Sequence, residues 1–289
     1  MKVGARRKIV ASRWARASGR GFHWLGAIAA SVALWAAATI AASSADPDRI
    51  EMHIEMFGLA GAHVATNRTV VEETTDRYAI TTDAESRGIA AVLVPLTSHS
   101  QVRGRLGAGV VQPQAYRGEV HRNGVDTLSR VDYAADGTVA GESTPPAVTA
   151  RPVTPALMRG TVDQLTALFM MERQLAARGS CAGHLSVFDG RRRYNLHFRD
   201  AAAEPMPAPA ARSVVAMAQV CHMRREAIAG FADESGTSEG AHAGKLWYAR
   251  LLPGDVMIPV QMEFATEFGG VTGYLSELRG GGVHMVLTQ

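Results

Sequence analysis

The sequence predicts a mainly β, α+β fold: a curved antiparallel sheet, either an open barrel or a β-spiral, wrapped around one long helix. Three observations predict it. From Arg49 onward apolar residues recur at every second position, which puts them on one face of a pleated strand. Asp136-Gly137 and Asp189-Gly190 each stand between alternating segments, where hairpin turns favour those residues. One stretch, from Thr161 to Gly179, instead repeats its apolar residues at helical spacing.

Residues 1–45 precede this fold and read as a signal peptide. Lys2, Arg6, Arg7, Lys8, Arg13, Arg16 and Arg20 fall in the first 24 residues with no acidic residue among them. An apolar, small-residue run follows from Leu25 to about Ala42, and Ser43-Ser44-Ala45 offers the small side chains a signal peptidase selects. An uncleaved membrane anchor at residues 25–42 is the alternative, because the run approaches the ~20 residues of a spanning helix. Arg6-Arg7 fits a twin-arginine signal poorly. The chain is therefore expected in the periplasm, with membrane contact only through this segment if it stays attached.

Residues 46–289 are expected to form a single β-rich domain. Ile50, Met52, Ile54 and Met56 alternate with Glu51, His53 and Glu55, as in a strand with one wet face. Further strands are expected near residues 68–82, 88–94, 98–106, 114–120 and 125–133. Pro145, Pro146, Pro152 and Pro155 then oppose regular structure and predict a surface connection. Thr161 is placed to cap the helix, with Gln164 three residues on completing a capping box. Leu165, Leu168, Phe169, Glu172, Leu175 and Ala176 share one helical face, and Gly179 predicts the stop. After a proline-rich loop in residues 201–211, strands are expected at 213–223, 245–251, 257–268, 271–278 and 283–287.

Charge weighs against one class of function. The chain carries 30 basic and 27 acidic residues, but seven of the basic ones lie in the leader. The remainder is thus 23 against 27, a net of −4, which gives no support for nucleic-acid binding. Two cysteines, Cys181 and Cys221, in an exported chain favour a disulfide over two separate buried thiols.

The segment "CAGHLSVFDGRRRYNLHFRD" carries three consecutive arginines at a turn. A two-residue Asp189-Gly190 turn would pair Phe188 with Arg191 and set the register outward from there. One face then collects Cys181, Gly183, Leu185 and Val187 opposite Arg192, Tyr194, Leu196 and Phe198. The other carries His184 and Ser186 against Arg193, Asn195 and His197, with Phe188 as the exception. Arg191, Arg192 and Arg193 are either a solvated hairpin tip or an anion-binding cluster forking onto phosphate or carboxylate, of a lipid headgroup or an acidic partner.

No convergent catalytic set is evident, and no cofactor or metal is expected. Gly179-Ser180-Cys181-Ala182-Gly183 has the spacing of a nucleophile elbow, but a helix precedes it and a strand follows, the reverse of that motif's context. The histidines are scattered without metal-ligand spacing. Asn67-Arg68-Thr69 matches a glycosylation sequon, and "GRLGAG" lacks the context of a phosphate loop. Leu165, Leu168, Phe169, Met217, Met257 and Met262 are expected on inner faces, either as core or as an adaptable apolar groove between sheet and helix.

"GTVDQLTAL", "VFDGRRRYNL" and "IPVQMEFATEFG" resemble the domain of unknown function 3108 family of exported bacterial envelope proteins, across roughly Ile50 to Leu278. The resemblance implies β-rich structure and an envelope location, and it supplies no catalytic residues. The shape it implies is similar to that of periplasmic lipoprotein carriers and β-spiral envelope proteins. The expected function is a non-enzymatic periplasmic protein that binds an apolar or lipid-like ligand, or a lipid-modified envelope partner, and supports cell-envelope integrity. Two alternatives stand beside it. One is an envelope hydrolase or transferase whose residues, His184 or His197 among them, converge only in three dimensions. The other is an interaction module that displays the arginines to acidic partners.

Overall fold

The computed structural model describes residues 48–107, 109–149, 151–206, 217–231, 243–254, 256–266 and 269–287. The leader, residues 1–45, lies outside them, as do residues 207–216, which take in the end of the expected proline-rich loop and the start of the strand expected at 213–223, and residues 232–242. Among the described residues no helix is long and apolar enough to cross a membrane.

The alternating segments become β1 (Asp48–Phe57), β2 (His63–Glu73), β3 (Arg77–Ser86), β4 (Leu96–Gly107), β5 (Val110–Arg122), β6 (Val125–Tyr133) and β7 (Val139–Thr144). After the helical region follow β8 (Gly183–Phe188), β9 (Arg193–Pro205), β10 (Met217–Ala229), β11 (Ala243–Ala249), β12 (Ile258–Thr266), β13 (Gly269–Gly280) and β14 (Val283–Val286). All join one 14-stranded sheet in the order β7-β6-β5-β4-β3-β2-β1-β13-β12-β11-β10-β9-β8, with β14 beside β13. Two antiparallel meanders therefore meet at the β1–β13 pair, where Met52 opposes Leu278 and Ile54 opposes Leu275. Those four residues are almost fully buried, so the seam between the first and last thirds of the chain lies in the core.

The sheet is open, and its end strands β7 and β8 approach without pairing in the ladder. Phe188 rests on Gly141 of β7 so closely that a Cβ there would lie 2.6 Å from the ring. The free edge of β8 is covered by Val162, which donates its N–H to Ser186 O at 3.0 Å and accepts from Phe188 N–H at 2.9 Å. These two bonds cover the tip-side half of the edge, the part nearest Phe188.

Among the described residues three α-helices replace the expected single long one: α1 (Gly88–Leu93), α2 (Pro155–Met158) and α3 (Gln164–Arg178). The last is 15 residues long and ends where expected, at Gly179 in the left-handed conformation. Residues 88–94, expected as a strand, form α1 instead. Its Ile89, Val92 and Leu93 are exposed because β3 and β4 pair directly with each other and leave the connection between them no place in the ladder. Residues 68–82 are two strands, divided by a turn in which Thr74 N–H donates to Arg77 O.

Asp163, not Thr161, caps α3. Its Oδ1 accepts from the N–H groups of Leu165 and Thr166 at 3.0 and 2.9 Å. Thr161 instead donates its hydroxyl to Met158 O, closing α2. Gln164 extends outward to Tyr116 rather than back to the cap.

Helix α3 touches both meanders, which is why the sheet curves around it. Tyr78 of β3 reaches Thr166 at 2.8 Å and stacks on Phe169 at 5.0 Å between ring centroids. From the other meander, Arg250 donates to Ala176 O at 2.8 Å. Ala167, Met171 and Leu175 pack with Val187, Leu196, Phe198 and Tyr248, while Phe169 joins Met52, Ile54 and Ile80 on the opposite flank. Cys181 and Cys221 are bonded, with Cα atoms 6.3 Å apart, and so tie the end of α3 to β10 across β9.

Candidate functional site

The inner face of the curved sheet does not close on α3 everywhere. A cavity of about 480 Å³ lies between them, and its wall is mostly apolar. Leu165, Leu168 and Phe169 reach it from α3, Met262 from β12, and Ile54 and Leu246 from the flanking strands. Four of the six expected groove residues therefore converge. Met257 is buried and lines a separate space of about 50 Å³ beside Phe169. Met217 does not line the groove: it opens β10 at 54 % exposure, away from Met223 and Arg225, the β10 residues that reach the cavity.

The polar members of the wall escaped the periodicity argument. Asn67 and Thr69 face inward from β2; Asn67 donates to Thr82 at 2.8 Å and accepts from Thr69 at 2.9 Å. The side chain that a glycosylation sequon would modify is thus part of a strand-to-strand hydrogen-bond chain. Arg225 enters from β10 with its guanidinium 6.0 Å from the Tyr194 ring centroid and 5.4 Å from that of Phe231.

Glu172 had left a signal, as the one carboxylate in the apolar stripe of the helix. It borders both this cavity and the small space beside Met257. Desolvation raises its pKa to about 8, and the nearby Glu73 carboxylate adds to the shift. Glu73 is itself raised by burial, although Arg173 holds it at 2.7 Å. At neutral pH Glu172 is therefore mostly a neutral acid, a hydrogen-bond donor in an apolar wall.

The N-terminus of α3 is anchored by a buried polar cluster. Thr166 donates its hydroxyl to Asp163 at 2.7 Å, and Gln164 donates to Tyr116 at 3.0 Å. Burial raises the Asp163 carboxyl above its usual range, against the stabilising bonds from Thr166. Asp163→Ala removes the cap and leaves buried donors unmatched, so it is expected to lower the unfolding free energy by about 2 kcal/mol. Asp163→Asn, which keeps an acceptor, is expected to lower it by less. Urea denaturation of the two variants checks this; equal losses would discount the cap.

The arginine hairpin differs from its expected register. Phe188 opposes Arg193, and Val187 opposes Tyr194, two residues further on than a two-residue turn allows. The cause is Asp189, whose carboxylate accepts from the N–H groups of Arg191 and Arg192 at 3.0 and 2.7 Å, building a four-residue tip. A slip of two leaves the faces unchanged because the side-chain period is two. Tyr194, Leu196 and Phe198 accordingly face the core as expected.

The three arginines do not act as a unit. Arg193 points away from its neighbours and bonds Leu157 O, Tyr194 O, Asn195 and Ser186. Arg191 and Arg192 border a second cavity of about 410 Å³ at the end of the sheet, with Ser98, Ser100, Thr127 and Ser129 among its other walls. Arg192 is paired with Asp189 at 2.9 Å and lies over the Phe231 ring at 5.8 Å.

His184 and His197 stack on the opposite face from Tyr194 and Leu196, with ring centroids 6.0 Å apart. His197 Nε2 lies 2.8 Å from Glu226, whose carboxylate also accepts from Asn195. Ser186, on the same face, accepts from Arg193 and donates its hydroxyl to Asn195. Among the described residues, the metal-capable group of three or more ligands is Cys181, Asp200 and Cys221, and its two sulfurs are bonded to each other.

The fold and cavity together define a class: an open, barrel-like antiparallel sheet holding an interior apolar chamber against a helix. Within that class the chain belongs to the family described as Protein of unknown function (DUF3108), which matches residues 49–276. A solved structure from Brucella abortus, described as a beta-barrel-like protein of domain of unknown function DUF1849, is similar over 81 % of this chain and 98 % of its own, at 13 % identity and a TM-score of 0.46. No curated protein matches the chain.

Proposed function

We propose that this protein is a non-enzymatic binder of an apolar, lipid-like ligand, working in the periplasm after export and supporting cell-envelope integrity. The cavity between α3 and the sheet carries this reading. Its volume of about 480 Å³ lies within the usual range for small-molecule sites, and its wall combines apolar side chains with a few polar groups. Methionine at Met52, Met56, Met223 and Met262 supplies the adaptable lining that suits a chain of variable length. The buried disulfide supports an oxidising compartment, where such bonds persist. A lipid-modified envelope protein offering its acyl chain is a partner of the same chemistry.

Leu168→Trp fills the cavity from the helix side. The wild-type chain, recovered from the periplasm of a bacterial host under gentle conditions, is expected to carry a co-purifying lipid by native mass spectrometry, and the variant to carry much less. A wild-type protein free of any lipid, with a fluorescent fatty acid binding neither form, would sink the proposal.

A further inference from the structure

The second cavity lies where the first ends. Gln164, the first residue of α3, lines both, so the apolar chamber and the hairpin-tip pocket adjoin at that side chain. Their walls differ in kind. Along β4, β5 and β6 the inward positions near the middle of the sheet are Val102, Tyr116 and Val131, all buried. Continuing along the same inward faces, the chain places Ser98, Ser100, Thr127 and Ser129 instead, and they line the pocket. Inward hydroxyls of this kind call for a polar occupant, because an apolar one would leave them unmatched.

Charge gives the sign of that occupant. Arg122, Arg191 and Arg192 border the pocket against one carboxylate, Asp189. Asp189 is already committed to Arg192 and to two backbone N–H groups. Asp189 holds Arg191 only through its backbone N–H, so the Arg191 guanidinium faces the pocket beside the Arg192–Asp189 pair, and guanidinium groups fork onto phosphate or carboxylate oxygens.

We propose that this pocket is the headgroup site for an anionic amphiphile: Arg191 and Arg192 take its phosphate or carboxylate, the serine and threonine hydroxyls complete the shell, and its chain runs past Gln164 into the apolar cavity. The inference rests on the lipid-binding reading above and adds the ligand's polar end, its charge and its direction. The chain lies between sheet and α3, and the head sits at the hairpin tip.

The test uses the full-length protein and three probes: dodecyl phosphate, dodecanol and inorganic phosphate. Dodecyl phosphate is expected to bind about tenfold more tightly than dodecanol, as charge-assisted hydrogen bonds to guanidinium allow. Arg191→Gln, at a residue whose hold on the tip runs through its backbone N–H, is expected to erase most of that preference while dodecanol binding stays unchanged. Ser98→Asp, which adds a carboxylate to the pocket without touching the hairpin, is expected to do the same. Equal affinities for the two dodecyl probes in the wild-type protein would overturn the headgroup site and leave the apolar cavity standing. So would a preference that both variants retain. Inorganic phosphate binding as tightly as dodecyl phosphate, without displacing dodecanol, would mean a free-anion site and overturn the amphiphile. Failure of both dodecyl probes to bind would overturn this inference together with the reading it rests on.

Discussion

Replacing Cys181 and Cys221 together by alanine is expected to lower the unfolding free energy by about 4 kcal/mol. The bond closes a loop of 40 residues, and the entropy that such a crosslink removes from the unfolded chain sets that magnitude. Both sulfurs are almost fully buried, at 1 % and 0 % exposure, so alanine leaves no polar atom stranded. The loop encloses β8 and β9, and with them the hairpin that carries Arg191 and Arg192. Its loss is therefore expected to act on the whole second meander rather than on one loop. Urea denaturation of the oxidised wild type against the double variant measures the difference. A change under about 1 kcal/mol would show that the crosslink is incidental to a fold already held by the sheet.

Glu172→Gln is expected to stabilise the ligand-free protein at pH 7, by up to about 3.5 kcal/mol. The carboxyl ionises near pH 4.5 when the chain is unfolded and near pH 8 in the fold, because burial opposes its charge. Between those values the folded state holds a proton that the unfolded state has released, so stability falls as pH rises through the window. By pH 7 about 2.5 pH units of that window have passed, at about 1.4 kcal/mol each. The uncharged amide carries no such dependence. The gap between variant and wild type is expected to be absent near pH 4.5, to widen up to about pH 8, and then to level off. Glu73 and Arg173 are present in both proteins, so the difference reports Glu172 together with its coupling to Glu73. A gap independent of pH would mean that Glu172 is solvated like a surface carboxylate.

Strand identity was legible wherever one face packs and the other does not. β1, β4, β6, β13 and β14 were expected close to their observed bounds, because alternation records the burial of a single face. The failures share a different cause. Residues 88–94 are too short and too uniformly apolar for any period to separate strand from helix, and only the direct pairing of β3 with β4 settles the matter. The hairpin register turned on a carboxylate bonding two backbone N–H groups, a local competition that turn statistics do not resolve. Thr161 was expected to cap α3, but its hydroxyl is spent on Met158 O, and the Asp163 carboxylate takes the first free N–H groups of the helix instead.

The sequence by itself determined the mainly β character, the inward faces of most strands, the stop of α3 at Gly179 and the partnership of Cys181 with Cys221. These are local or pairwise properties, written in spacing and composition. The tertiary structure alone decided that Leu165, Leu168, Phe169 and Met262 border an open space, and that Glu172 sits beside it as a neutral acid. It alone decided that Arg191 and Arg192 meet the serines of β4 and β6 while Arg193 turns away. A cavity exists where the curvature of two meanders fails to match the girth of one helix. That mismatch is a property of the whole sheet, which no window of residues contains.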